Sequence, residues 1–299
     1  MRKKSSENTD VSDKTRFGKF GGQFVNEMLM PALEELEDGF KENYSDPEFR
    51  QRYEDLLSDF AGRPTSLYRA GKFGEIIGCN VYLKREDTNY GGSHKLNNTL
   101  GQALLAKEMG KSRLITETAA GMHGVATAMA GNACGIETEI FMGVHDIERQ
   151  PSNVDRMKLL GAEIKPVDIG EGVLKDAVSD TLREWASCSD HTHYLMGSTV
   201  GPYPFPEIVA TFQSVIGREI KDQITEKEGR LPDAIVACGS GGSNALGAFR
   251  PFVEDENVDL HFVEGGGRSL DADNSAAAFQ LGSPGVLHGA LTYTLQDEH

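Results

Sequence analysis

The order of residues predicts an α/β fold built on a parallel sheet. Three observations predict it. Short β-branched apolar runs recur along the chain, stretches with helical spacing lie between them, and Gly, Asp or Asn bounds each run. The first run is Val81-Tyr82-Leu83-Lys84, and the second is Leu114-Ile115-Thr116 running into Glu117. Glu139-Ile140-Phe141-Met142 and Glu163-Ile164-Lys165-Pro166-Val167 follow, then Ala234-Ile235-Val236-Ala237 and His261-Phe262-Val263. All six read as buried strands of a parallel sheet. Between them, Leu96, Leu100, Ala103 and Leu104 recur at i, i+4, i+7 and i+8, which is one apolar stripe of a helix. Val154 to Leu160 reads as another helix, stopped by Gly161. Alternation of this kind implies right-handed crossovers, with ligands bound at the carboxyl ends of the strands.

The 299 residues suffice for one large or two ordinary domains. No internal repeat, low-complexity tract or flexible linker marks a boundary. A net charge of −16 argues against a nucleic-acid partner held by a broad electrostatic footprint. No apolar run is long enough to span a bilayer, and Met1 to Asn8 reads as a polar leader without the features of a secretory signal. The acids from Glu34 to Asp59 read as solvated helix faces. Cys79, Cys134, Cys188 and Cys238 are scattered, which favours a reducing, cytoplasmic setting and neither a zinc site nor a disulfide framework.

Three segments carry chemistry. In Gly239-Ser240-Gly241-Gly242-Ser243-Asn244 the glycines let backbone N–H groups approach an anion at a helix start, with Ser243 and Asn244 as further donors. Read alone, the loop is either a phosphate cradle or a tight structural turn. Lys95, after Gly92-Ser93-His94, stands in a first helical turn, where the helix dipole lowers an amine's pKa and favours Schiff-base chemistry; alone, it also fits a surface lysine. Glu117-Thr118-Ala119-Ala120-Gly121-Met122-His123 follows a strand and can hold a carboxylate on its amides, with Glu117 as acid or base; the alternative is a capped turn. Pro202, Pro204 and Pro206 read as stiffening a loop.

Further residues carry a resemblance. Phe17-Gly18-Lys19-Phe20-Gly21-Gly22-Gln23-Phe24-Val25 and Met30-Pro31-Ala32-Leu33-Glu34-Glu35-Leu36 strongly resemble the opening of tryptophan synthase β chains. So do Gly62-Arg63-Pro64-Thr65, Leu83-Lys84-Arg85-Glu86-Asp87, Arg156 to Ala162, Gly201 to Pro206 and Gly282 to Gly289. The resemblance runs from about Phe17 to the last residue. It implies two intertwined three-layer αβα domains with mostly parallel sheets. Residues 1–60 with 94–212 would form the first, and 61–93 with 213–299 the second, which holds the cofactor's phosphate.

The resemblance also implies roles. Lys95 would carry pyridoxal 5'-phosphate, with His94 beside the phosphate. Ser240, Gly241, Gly242, Ser243 and Asn244 would hold that phosphate, with Cys238 and Ser198 nearby. Glu117 would be the acid–base carboxylate, and Thr118, Ala119, Ala120, Gly121, Met122 and His123 would receive the carboxylate of serine. The implied reaction is replacement of the L-serine hydroxyl by indole, giving L-tryptophan. A homodimer of this chain would work with a tryptophan synthase α chain that delivers indole, in an α2β2 complex.

Departures accompany the resemblance. Met122 stands where the family usually has glutamine, Ala119 where it has glycine, and Ser240 in place of the loop's first glycine, at a cost if positive φ is required there. Family members continue past the position of His299 with a segment that adds site residues and a monovalent-cation loop. The resemblance therefore implies a truncated chain with an incomplete second domain and uncovered apolar surface around Leu287 and Leu291. A serine dehydratase or cysteine synthase-like enzyme, and an inactive fragment acting as a binding subunit, are the alternatives.

Overall fold

The computed structural model describes residues 13–271 and 274–296, so Met1 to Asn8, Glu298 and His299 lie outside the described residues. A hairpin of β1 (Arg16–Phe17) and β2 (Phe20–Gly21) precedes the helices α1 (Met30–Ser45) and α2 (Pro47–Asp55). A second pair, β3 (Leu67–Arg69) and β4 (Tyr82–Lys84), flanks α3 (Gly71–Ile77). Helix α4 (Lys95–Glu108) then leads into β5 (Arg113–Thr118), α5 (Met122–Cys134), β6 (Glu137–Gly143) and α6 (Val144–Arg149). After these come α7 (Pro151–Leu159), β7 (Glu163–Val167), α8 (Leu174–Cys188) and β8 (Thr192–Tyr194). Helices α9 (Phe205–Gln213) and α10 (Val215–Glu228) connect to β9 (Ala234–Gly239), α11 (Ser243–Phe249) and β10 (Asp259–Glu264). The short α12 (Ala278–Leu281) precedes a hairpin of β11 (Ser283–Leu287) and β12 (Ala290–Thr294).

The central sheet has the order β7-β6-β5-β8, parallel throughout. Strand order reverses at β5, because β6 and β7 extend to one side of it and β8 returns to the other. That reversal opens a crevice at the carboxyl end of β5. Helices α5 and α8 both pack on β5 and β6, and five of the six β5 residues are buried. Such two-sided cover is why β5 reads as a continuous apolar run.

The predicted helical stripe holds: Leu96, Leu100, Ala103 and Leu104 are all buried in α4, which packs on α5 and α9. Gly101 permits this approach, since a Cβ there would lie 2.4 Å from the Phe212 ring. The predicted helix ending at Gly161 is α7, and Gly161 has φ +85.

All six predicted strands form, but they do not share one parallel sheet. Strand β4 pairs antiparallel with β3, and β9 pairs with β10 as a separate two-stranded parallel sheet. Only alternate residues of β9 are buried: Ile235 and Ala237 face inward while Val236 is 67% exposed. An all-apolar run does not reveal that one of its faces lacks cover. Leu287 and Leu291 are themselves half-buried where β12 pairs with β11 and with Gly21 of β2, while Val286 beside them is 53% exposed, part of the uncovered apolar surface expected around them.

Two smaller expectations are also corrected. Glu37, on the acidic stretch expected to be solvated, is buried and binds Lys14 (2.7 Å), Lys41 and the Tyr203 hydroxyl (3.0 Å). Pro206 is no loop residue but stands in the first turn of α9, where a missing N–H costs nothing.

Candidate active site

The first turn of α4 carries Lys95 and is fixed from below by Asn97. The Asn97 Oδ1 accepts from Arg63 Nη1 (2.9 Å) and Asn89 Nδ2 (2.8 Å), and its Nδ2 donates to Glu86 (3.2 Å) and Gln213 (3.1 Å). Arg63 itself binds Glu86 and Glu219 at 2.8 Å each, and Lys84 closes the group on Glu219 at 2.5 Å. A buried ionic group of this kind is strongly destabilised by loss of one member, because the remaining charge is left unpaired. Through Asn97 that rigidity reaches the backbone two residues from Lys95. Burial pushes the Lys95 amine below its ordinary pKa, against the opposing pull of Glu117, and so favours the free amine.

Glu117 is on β5 itself, at the carboxyl end where strand order reverses. The strand runs on through Thr118, so neither residue belongs to the turn in which the sequence placed them. Burial raises the Glu117 carboxyl from 4.5 to about 7, although the Tyr194 hydroxyl, donating to Oε2 at 2.5 Å, pulls the other way. Tyr194 ends β8, the neighbouring strand.

Beyond Glu117 the chain turns at Gly121, with φ +84 and ψ −17, into the start of α5. Asn153 Nδ2 donates to the Ala120 carbonyl at 2.7 Å, and Thr118 Oγ1 accepts from the Gly124 N–H at 3.3 Å. Among the described residues, no backbone N–H of residues 119–123 donates to a protein acceptor. Five such donors at a helix N-terminus can cradle an anion. His123 Nε2 bonds the Leu195 carbonyl at 3.1 Å, while its buried Nδ1 has no partner among the described residues. Burial lowers this ring to about 3, so it is neutral.

A second cradle lies at the end of β9. The chain turns at Gly242, with φ +81 and ψ −15, into α11. The backbone N–H groups of residues 240–244 likewise donate to no protein acceptor among the described residues. A Cβ on Gly241 would lie 2.6 Å from Ser198 Oγ, and one on Gly242 would lie 2.3 Å from Thr199 Oγ1. Gly242 carries the positive φ; Ser240 does not, so the strain expected at Ser240 is absent. His94 Nε2 lies 3.1 Å from Ser243 Oγ, and burial holds the imidazole near 4, uncharged.

The structure thus brings Lys95, His94, Glu117 and His123 within electrostatic reach of one another. Ser198 joins the second cradle by donating to the Gly241 carbonyl at 3.0 Å. Cys238 meets the loop only through its carbonyl, which accepts from Asn244 Nδ2 at 3.0 Å. Met122 reaches toward the loop before Lys95, its Cε lying 3.8 Å from where a Cβ on Gly92 would be. Sequence reasoning missed Tyr194, Thr199, Asn97 and Asn153. The available signal for Tyr194 was the short run His193-Tyr194-Leu195-Met196 ahead of Gly197, which has the length and bounds of a strand end.

Residues 59–286 match the profile of a family described as pyridoxal-phosphate dependent enzyme. The tryptophan synthase beta chain 1 of Methanosarcina acetivorans is 54% identical over 298 residues, covering 97% of this chain and 74% of its own length. The tryptophan synthase beta chain of Staphylococcus aureus is 54% identical over 291 residues, with 97% and 72% covered. Among solved structures, diaminopropionate ammonia lyase of Escherichia coli superposes with a TM-score of 0.57 at 19% identity, over 82% of this chain and 69% of that one. A pyridoxal 5'-phosphate-dependent aspartate racemase gives 0.54 at 19% identity, over 78% and 61%. At such identities these two likenesses speak for the fold alone.

Proposed function

This chain belongs to the tryptophan synthase beta chain family of pyridoxal-phosphate-dependent enzymes, and from that premise we propose that it joins L-serine to indole, with loss of water, to give L-tryptophan. The observation that carries this reading is a Lys95 amine whose pKa burial lowers, within electrostatic reach of the buried Glu117, in a chain whose turns after β5 and β9 each leave a row of backbone N–H groups without a protein acceptor among the described residues.

The residues fit the cofactor. Five backbone N–H groups without a protein acceptor among the described residues match a phosphate, and Lys95 presents an amine to a carbonyl. When bound, pyridoxal phosphate supplies an electron sink for negative charge at the substrate's α-carbon. The N–H groups of residues 119–123 hold the serine carboxylate. Lys95 Nζ, whose pKa burial lowers toward the free amine, takes the proton from serine Cα. Glu117 carries its proton in much of the population at neutral pH and delivers it to the departing serine hydroxyl oxygen. Neutral His94 and His123 leave the pocket without a competing positive charge.

Finer parts of the proposal rest on the resemblance. Residues 1–60 with 94–212 form one domain and 61–93 with 213–299 the other, supported by β4 pairing with β3 and not with the central sheet. A homodimer, an α-chain partner and a cytoplasmic setting complete it, the last supported by four free cysteines. Dependence of turnover on Na+ or K+ would test the monovalent cation.

The test combines purified protein with pyridoxal phosphate, L-serine and indole. Loss of indole matched by tryptophan is the expected result. Pyruvate release with indole unconsumed would assign the chain to serine dehydration instead, and no visible cofactor absorption would leave it a binding subunit.

A further inference from the structure

The Gly241 carbonyl accepts three donors from one short segment. These are Ser198 Oγ at 3.0 Å, Thr199 Oγ1 at 2.8 Å and the Thr199 backbone N–H at 2.8 Å. The Ser198 oxygen is itself held, accepting from the Val200 N–H at 2.9 Å. In a trans peptide the C=O and the following N–H point in opposite directions. Pinning the Gly241 carbonyl toward residues 198–199 therefore aims the Gly242 N–H away from them, where no protein acceptor meets it among the described residues. The same contacts explain the glycine pair without reference to any ligand, since each Cβ would collide with one of the two hydroxyls.

We infer that Ser198 and Thr199 clamp the Gly241 carbonyl and so orient the Gly242 N–H for the cofactor's phosphate, with Thr199 a positioning residue acting through the loop. The inference rests on residues 240–244 being the phosphate cradle. It changes the part played by Ser198: its hydroxyl proton is committed to Gly241, so its effect on the phosphate passes through the backbone. A threonine fits position 199 because its hydroxyl and its own N–H reach one oxygen together.

Binding of pyridoxal 5'-phosphate and of pyridoxal, which lacks the phosphate, is titrated to the unaltered chain, Thr199→Ala and Thr199→Ser. Removing one donor to a carbonyl should weaken pyridoxal phosphate about five- to tenfold. Pyridoxal should stay within about twofold, and Thr199→Ser, which keeps the hydroxyl, should restore the difference. Equal loss for both ligands, or none for either, overturns the clamp. If Thr199→Ala does not fold, Ser198→Ala removes another donor to the same carbonyl and must show the same split; equal losses there overturn the clamp too. An unaltered chain with no preference for the phosphorylated ligand overturns the phosphate-cradle reading, and the clamp falls with it.

Discussion

The turns after β5 and β9 have almost the same backbone and very different surroundings. Gly121 and Gly242 sit at φ +84 and +81 with ψ −17 and −15, each opening a helix with a row of unpaired N–H groups. The first turn ends a strand buried on both faces of a four-stranded sheet, with Glu117, Tyr194 and His123 around it. The second ends a strand of a two-stranded sheet, with Val236 and Val263 exposed, and is held in place by hydroxyls from residues 198–199. Backbone shape alone makes an anion cradle; burial behind it turns a carboxylate into a proton donor at neutral pH. In the proposed reaction, one turn binds and the other binds and reacts.

Glu117→Gln gives the largest expected separation. Turnover should fall roughly 10²- to 10⁴-fold, as for loss of a general acid–base group, while affinity for pyridoxal phosphate changes less than about threefold. Equal losses in both would mean that the turns do not divide the work.

The same variant has a pH signature in the cofactor-free protein. The folded carboxyl is raised from 4.5 to about 7, so its favourable contribution is complete below the lower value and is lost as pH rises through the upper. By pH 8 the penalty for ionising it is about 3 kcal/mol. Glu117→Gln carries no such penalty, so its stability relative to the unaltered chain should rise between pH 5 and pH 8, read from urea midpoints. A constant difference across that range would place the Glu117 carboxyl in water.

Alanine at each glycine compares how firmly the turns are held. At Gly121 the new Cβ would lie 2.4 Å from the Asn153 Cβ, which cannot swing aside without moving α7. At Gly242 it would meet the Thr199 hydroxyl, which can rotate away at the expense of the Gly241 contact. Gly121→Ala should lower unfolding stability by about 3 kcal/mol. Gly242→Ala should lower it by about 1–2 kcal/mol and loosen the cofactor as well. The reverse order in chemical denaturation would contradict the difference in support.

Tyr194→Phe is the mildest change. It removes a hydrogen bond that lowers the Glu117 pKa, so the high-pH limb of turnover should move upward, with a modest change in maximal rate. A downward move would mean that Tyr194 stabilises the protonated carboxyl.

Legibility in the sequence followed the range of the interactions. The existence of the six strands, the α4 stripe and the two strand-to-helix turns rests on local patterns legible in a few neighbouring residues, whereas the sheet each strand joins, and where each turn begins, is not legible there. Strand β8 escaped because three residues, two of them polar, carry no period. Its Tyr194 meets Glu117 across 77 positions, a pairing that no spacing rule encodes. Asn97 and Arg63 are polar residues, yet both are buried because Glu86, Glu219, Asn89 and Gln213, together with their own mutual bond, satisfy them. The strain expected at Ser240 failed for a related reason: the loop places its left-handed residue two positions later, at Gly242.

Borohydride reduction of the chain loaded with pyridoxal phosphate, followed by peptide mapping, bears most directly on where the chemistry lies. Lys95 is the amine at the start of α4 whose pKa burial lowers and which lies within electrostatic reach of Glu117, so the fixed cofactor should appear on the peptide containing Lys95 and vanish in Lys95→Ala. Label on another lysine in the unaltered protein, or label that survives Lys95→Ala unchanged, would contradict the proposal that Lys95 is the reacting amine.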